Sequence, residues 1–304
     1  MAMRVATFSG TSDLVQAAMR VQAEQADATL QQASGKVATD YGGYGAGAGR
    51  IIALETYIDR TTIYEKAATA ARSQVEAAAS AVGSMADLLN QFTSALTSID
   101  ASLGDGSTLQ ETAASILDQM TALMNTKYQG RYLFAGSATD LAPVVQDAIA
   151  PQSTPTSADT SYYAGTDETA SVRVSAEEVI RYGVTADDAG FETALRALSL
   201  IAGADLSGGG YDDATLTEAR SLVDTAVSGL STAQARLGLS SAALETAITA
   251  RQDDRTYAET ELSGKTDIDV AAVAARLSSY QTQLEAAYAA IGKIQSLRLS
   301  DFLK

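Results

Sequence analysis

The sequence predicts a mainly α protein: a long helical coiled-coil rod formed by the N- and C-terminal segments, with a small β-rich domain inserted between them. Three observations predict it. The 304 residues include only 3 Pro, and these (Pro143, Pro151 and Pro155) all fall in the middle, so both ends are free of helix breakers. Apolar residues recur in alternating steps of three and four along both ends, the spacing of helices packed along their length. Hydrophobic residues are 46% of the chain, yet aromatics are 6% and Trp is absent. Much of the balance is Ala, whose helix propensity and small side chain favour long helices in close contact.

Taken in order, residues 12–39 read as a first helix with the seam Val15, Met19, Gln22, Ala26, Leu30, Ala33 and Val37, capped by Thr11, Ser12 or Asp13. It runs into Tyr41–Gly49, read as a flexible connector. The glycines there follow no strand and form no phosphate-cradling pattern. The seam Val75, Ala79, Val82, Met85, Leu89, Phe92, Leu96 and Ile99 marks a stronger helix. Gly104–Gly106 breaks it, and a further helix from Thr108 to about Lys127 carries Leu109, Ile116, Met120 and Leu123. From Tyr128 the texture changes. Tyr162-Tyr163, Val172–Val174 and Tyr182–Val184 are short β-prone runs among Thr, Ser, Asp and Gly. They can pair among themselves, so the insert need not share the core of the helices, and its removal is expected to cost little of the helix packing. A short helix is expected over Phe191–Ala202. Helices return at Asp213, with Leu216, Ala219, Val223, Val227, Leu230, Ala233, Leu237, Leu244 and Ile248, then Val270, Val273, Leu277, Tyr280, Leu284, Ala287, Ile291, Ile294 and Leu297. The expected divisions are a terminal coiled-coil domain (1–40 and 265–304), a helical rod domain (50–127 and 213–264) and a β-rich outward-facing domain (128–212).

Composition excludes several functions. With 21 Lys plus Arg against 37 Asp plus Glu the net charge is −16, which repels phosphate backbones and anionic lipid, so no nucleic acid is expected as a partner. No His and no Cys occur, which removes disulfides, thiolate nucleophiles, Cys/His zinc sites and the commonest general base. Asp253-Asp254 and Asp187-Asp188 are adjacent pairs that read as solvated surface charge, and on a helix neighbours point about 100° apart, so Asp253 and Asp254 do not converge on one proton. Asp212-Asp213 after Gly208–Gly210 lacks the spacing of a calcium loop and reads as a helix N-cap. Lys265 and Lys293 have no nucleophile partner at a recognisable spacing. No enzyme activity, cofactor or metal is expected. No apolar run reaches the length of a membrane helix, so no membrane insertion is expected, and Met1–Gly10 lacks the apolar run of a cleaved signal.

The two terminal helices make only a thin Ala-rich pair, which leaves apolar surface outside and points to other subunits as the remaining partners. Particular segments carry a resemblance. Met3-Arg-Val5, Gln31–Lys36 (QQASGK), Asn125–Ser137 (NTKYQGRYLFAGS), Asp267–Ala271 (DIDVA) and Leu297–Leu303 (LRLSDFL) resemble the flagellin family of the bacterial flagellum. The segment with Asn125, Gly130, Arg131, Tyr132, Leu133, Phe134, Gly136 and Ser137 is similar to that of its hook–filament junction members, whereas flagellins usually differ there. The Gly-rich Tyr41–Gly49 departs from the family's acidic Pro-containing stretch.

The resemblance implies a structural protein of the flagellum that joins the hook-associated proteins to the filament, with a short flagellin as the alternative. It implies secretion through the flagellar type III channel to an extracellular place in the flagellum. The implied partners are further copies of itself in a ring, the adjacent hook-associated protein, flagellin and a type III export chaperone. The implied packing seam is Val270, Val273, Leu277, Tyr280, Leu284, Ile291, Ile294, Phe302 and Leu303.

Overall fold

A computed structural model describes residues 2–98, 106–206 and 210–296. Helix α1 spans Ala2–Ser34, α2 Ala48–Ser98 and α3 Gly106–Met124. Strands β1 (Lys127–Tyr128) and β2 (Arg131–Tyr132) form one antiparallel pair, and β3 (Ala170–Arg173) and β4 (Val179–Tyr182) a second. Helices α4 (Ala189–Ala202), α5 (Asp213–Thr266) and α6 (Val270–Ser296) follow. The fold is mainly α, as predicted, and the strands are short and confined to the middle. The chain divides into two compact units, residues 1–59 with 255–304, and residues 60–254.

In the first unit α1 packs against α6. The end of α1 and the start of α6 are tied by an antiparallel bridge between Lys36 and Asp267, so the two helices run in opposite directions. The buried apolar side chains described in this unit are Ala18, Ala28, Ile51, Ala258, Val273 and Leu284. This is a thin core, half of it alanine. The seam expected for α1 is out of register: Met19 is 63% and Leu30 58% exposed. The inward row is instead Ala18 and Ala28, with Val21 and Gln25 half-buried between them and Leu14 half-buried one turn before. Small side chains sit at the contact because they let the two backbones approach closely, and the bulkier Met19 and Leu30 are left outside. The segment expected as a flexible connector is partly ordered. Tyr41–Gly47 forms a 3₁₀ turn, capped by Asp40, whose carboxylate accepts from Gly43 N at 2.9 Å.

The second unit holds the main core. Val75, Val82, Met85, Leu89, Phe92 and Leu96 of α2 are buried with Leu109, Ile116 and Met120 of α3 and Val223, Leu230 and Leu237 of α5. In this unit α2 and α5 run antiparallel, tied by the Arg72–Glu245 ion pair and by Gln252 donating to Glu65 at 3.1 Å. Asp212 accepts from Thr215 N at 2.7 Å and begins α5, as the N-cap reading expects. Helix α4 packs on α3 and is buried over nearly its whole length. It enters through a close crossing, where a Cβ on Gly229 of α5 would lie 2.5 Å from Gly190 Cα. Gln110 of α3 caps its far end by donating to Ala202 O and Ala204 O.

One expectation is overturned here. Leu133, Phe134, Val144, Tyr162, Val174 and Val184 belong to the same continuous apolar cluster as the helices. Two strand pairs of two to four residues each cannot bury their own faces, so the insert completes itself on α2, α4 and α5.

Candidate assembly interface

The expected packing seam lies on α6. Val273 and Leu284 are buried, while Leu277, Tyr280, Ile291 and Ile294 are half-buried. Val270 is 57% exposed, and Tyr288, which the sequence reading did not select, is 55% exposed. Phe302 and Leu303 lie outside the described residues. Met19 and Leu30 on α1 add to the exposed apolar side chains of this unit. A helix pair that buries so little and exposes bulky apolar groups is the surface expected of a packing element.

Where α1 ends and α6 begins, two of the motif segments meet. Gly35, at φ +71°, ends α1 by donating its N–H to Gln31 O at 2.8 Å. Val37 N donates to Thr266 O at 2.7 Å, and Ile268 N donates to Gly35 O at 3.0 Å. The Lys36 ammonium reaches Asp267 Oδ1 at 2.5 Å and Thr266 Oγ1 at 3.1 Å. Asp267 also accepts from Ser263 Oγ at 2.5 Å. These hydrogen bonds, that from Lys36 foremost, hold its carboxyl at about 2, well below the usual value. Asp269 then caps α6, accepting from Ala271 N and Ala272 N.

The motif at 125–137 lies in the second unit. Asn125 imitates a backbone pair: its Nδ2 donates to Val144 O at 2.9 Å and its Oδ1 accepts from Val144 N at 3.0 Å. Gln129 and Gly130 both have positive φ, 50° and 82°, as a two-residue hairpin turn between β1 and β2 requires. Arg131 is exposed. Tyr132 is half-buried, with Lys127 Nζ 4.4 Å above its ring. Leu133 is buried beside the fully buried Phe134, whose ring meets that of Phe191 edge-on at 5.9 Å. Gly136 (φ +64°) admits no side chain, because a Cβ would lie 2.0 Å from Thr166 O. Ser137 bonds to Thr166 through both N–H and Oγ. All eight motif residues therefore lie in or beside one structured turn and strand. The anchor that sequence reasoning missed is Tyr162, whose buried hydroxyl donates to Ala186 O at 2.9 Å. Burial, followed by Glu192 and Asp187, pushes that phenol far up.

The acidic pairs do not converge on a reacting centre. Asp188 caps α4 and pairs with Arg236, and Asp254 pairs with Arg251 at 3.2 Å. Among the described residues no three acidic side chains gather where a metal ion could sit, and no helix is long and apolar enough to cross a membrane.

Residues 221–303 match the bacterial flagellin C-terminal helical region. The structure is similar to that of a flagellar hook-associated protein from Vibrio parahaemolyticus, with a TM-score of 0.59 at 13% identity, covering 75% of this chain and 99% of that one. FlgL of Bacillus cereus aligns at 0.49 with 16% identity, over 69% and 99% of the two chains. Flagellar hook associated protein-3 of Legionella pneumophila aligns at 0.46 with 15% identity, over 71% and 97%. No curated protein matches the chain in sequence. The last quarter of the chain is thus similar to the flagellin C-terminal helical region, and the fold is similar to that of a flagellar hook-associated protein.

Proposed function

We propose that the chain is a structural subunit of the bacterial flagellum, hook-associated protein 3, which joins the hook-associated proteins to the flagellin filament. The observation that carries this reading is the flagellin C-terminal helical region at 221–303. The fold likeness across nearly the whole of a hook-associated chain favours the junction over a short flagellin. The thin core of the first unit supports a mechanical role in which no bond is made or broken. Each copy buries the outer faces of α1 and α6 against neighbours in a ring, with Val270, Leu277, Tyr280, Ile291, Ile294, Phe302 and Leu303 as the seam and with Val273 and Leu284, already buried within the chain, holding α6 in place beneath it.

The terminal segments 1–40 and 265–304 form the packing domain. Segments 50–127 and 213–264 form the helical support, and 128–212, with the Asn125–Ser137 turn as its anchor, faces outward. The chain is secreted unfolded through the flagellar export channel with a dedicated chaperone. It then meets the adjacent hook-associated protein on one side and flagellin on the other. It carries no catalytic site.

The test is a strain from which this gene has been deleted. It builds hooks without filaments, and the unaltered chain restores filaments seen by electron microscopy. Leu284→Asp and Ile291→Asp chains are exported but restore none, since an unpaired carboxylate in an apolar contact costs several kcal/mol. Filaments in the deleted strain overturn the junction reading. Full motility with either variant removes that residue from the seam or its support.

A further inference from the structure

Residues 60–254 carry 25 Asp and Glu against 11 Lys and Arg, so this unit holds most of the negative charge of the chain. Its helix-borne arginines are engaged within the chain. Arg72 pairs with Glu245, Arg196 with Glu192 and Arg236 with Asp188, for example. The strands differ. Among the described residues, Arg131 of β2 and Arg181 of β4 make no ion pair, and both are exposed.

The strand pattern sets these two side chains. On β3 and β4, Val172, Ile180 and Tyr182 turn toward the core, which leaves Arg181 on the outer face opposite Ser171. Val179, two residues before Arg181 on the same face, is 47% exposed. Arg131 lies by the same hairpin: burial raises the Tyr182 phenol, and the nearby Arg131 pulls it back. Unpaired arginines beside an exposed apolar group have the composition of a protein contact.

A complementary face lies in the same unit. Helix α3 contains no Lys or Arg. Glu111 and Asp118 are seven residues apart, so they share one face of the helix, and both are exposed. Gln146 donates to Asp118, which brings the exposed Asp147 beside it. No ion pair described joins the strand arginines to these acids, so the two faces do not satisfy each other within one chain. A patch and its complement on different elements of one chain make head-to-tail contacts between copies, the kind that closes into rings.

We propose that Arg131 and Arg181 of one copy dock on Glu111, Asp118 and Asp147 of the next. This rests on the reading of the chain as a subunit packed in a ring and names a contact for it. The terminal helices supply apolar association, and the charged contact fixes which side of one copy meets which side of its neighbour.

The purified full chain tests this without a flagellum. It has no Cys, so single cysteines can be added cleanly. Ser171→Cys lies opposite Arg181, and Ser115→Cys lies between Glu111 and Asp118; both sites are exposed. When a concentrated mixture of the two single-Cys chains is oxidised, a disulfide joins one to the other, and either chain alone gives little dimer. Arg131→Glu/Arg181→Glu added to the Ser171→Cys chain lowers the mixed yield about tenfold. Glu111→Lys/Asp118→Lys added to the Ser115→Cys chain then restores it, which loss of fold in either variant would not allow. A mixed yield indifferent to the charge reversal, dimers of like chains equal to the mixed dimer, or no mixed dimer at all overturns the proposal. No mixed dimer, together with loss of filaments in a strain carrying Arg131→Glu/Arg181→Glu, gives the patch to a different acidic partner. The deletion strain tests the flagellar reading separately: filaments there, with a charge-dependent mixed dimer here, overturn the junction role and leave the contact between copies.

Discussion

Asp267 accepts hydrogen bonds from Lys36, Ser263 and Thr266 while remaining open to solvent, and its carboxyl is held at about 2 against an ordinary 3.8. The folded value lies below the unfolded one. Whatever stability the group contributes is therefore complete above 3.8 and is lost as the pH falls through about 2. Across the neutral range the carboxylate stays charged and the contact with Lys36 persists. Lys36→Met removes the largest cause and leaves the two hydroxyl donors, so Asp267 should titrate between the native value and 3.8 in a carboxyl-carbon NMR titration. An unchanged titration would assign the depression to Ser263 and Thr266. At this scale the QQASGK and DIDVA segments were visible in the sequence as separate motifs. Nothing in their spacing said that Lys36 of one would reach Asp267 of the other, 231 residues away.

Helix α5 shows how the same residue type serves opposite ends within one element. Gly229 meets Gly190 at the crossing with α4, where a Cβ would lie 2.5 Å from Gly190 Cα, whereas a Cβ on Gly238 would meet nothing within 4 Å. Both neighbours at the crossing are backbone and cannot turn aside. Gly229→Ala should therefore destabilise the chain by about 1–3 kcal/mol, the range for overpacking a filled contact. Gly238→Ala should stabilise it by about 0.5–1 kcal/mol, because it removes chain entropy from a helix interior. Denaturant midpoints at unchanged slope check both. Equal midpoints for the two variants would mean that α4 shifts to absorb the methyl group.

Helix α1 teaches a related lesson about seams. A reading by apolar bulk picked Met19 and Leu30, but the close approach of α1 to α6 selected Ala18 and Ala28 for the inside. In α2, where Phe92, Met85 and Leu89 mark a broad core, bulk and burial agree, and the register was legible.

At the scale of the molecule, the insert proves continuous with its support. Val144, Tyr162, Val174 and Val184 all lie between residues 140 and 185 and all belong to the common core. Thr156 N and its hydroxyl bond to Glu218 of α5, and the Tyr182 hydroxyl donates to Gln74 of α2 at 3.1 Å. A buried side chain of this size contributes about 1.5–3 kcal/mol, and a whole domain is stable by only about 5–15 kcal/mol. Deleting 140–185 with a short flexible linker should therefore lower the unfolding midpoint steeply and make residues 60–254 sensitive to protease. Limited proteolysis and denaturant titration of the shortened chain check this. A native midpoint would restore the insert as an independent appendage.

The sequence by itself determined the helical ends, the place of the break between them, the short helix α4 and the N-cap at Asp212. These rest on local rules: proline position, three-four spacing, capping residues and turn-forming glycines act within a few residues of one another. It also carried the resemblance to the flagellin family through short terminal and central motifs. Only the tertiary structure decided which stripe of α1 faces inward, that the insert shares the core of the helices, and that Lys36 meets Asp267. Each of these depends on how closely two distant backbones approach. That distance is set by the summed volumes of side chains from both partners, which neither segment records alone.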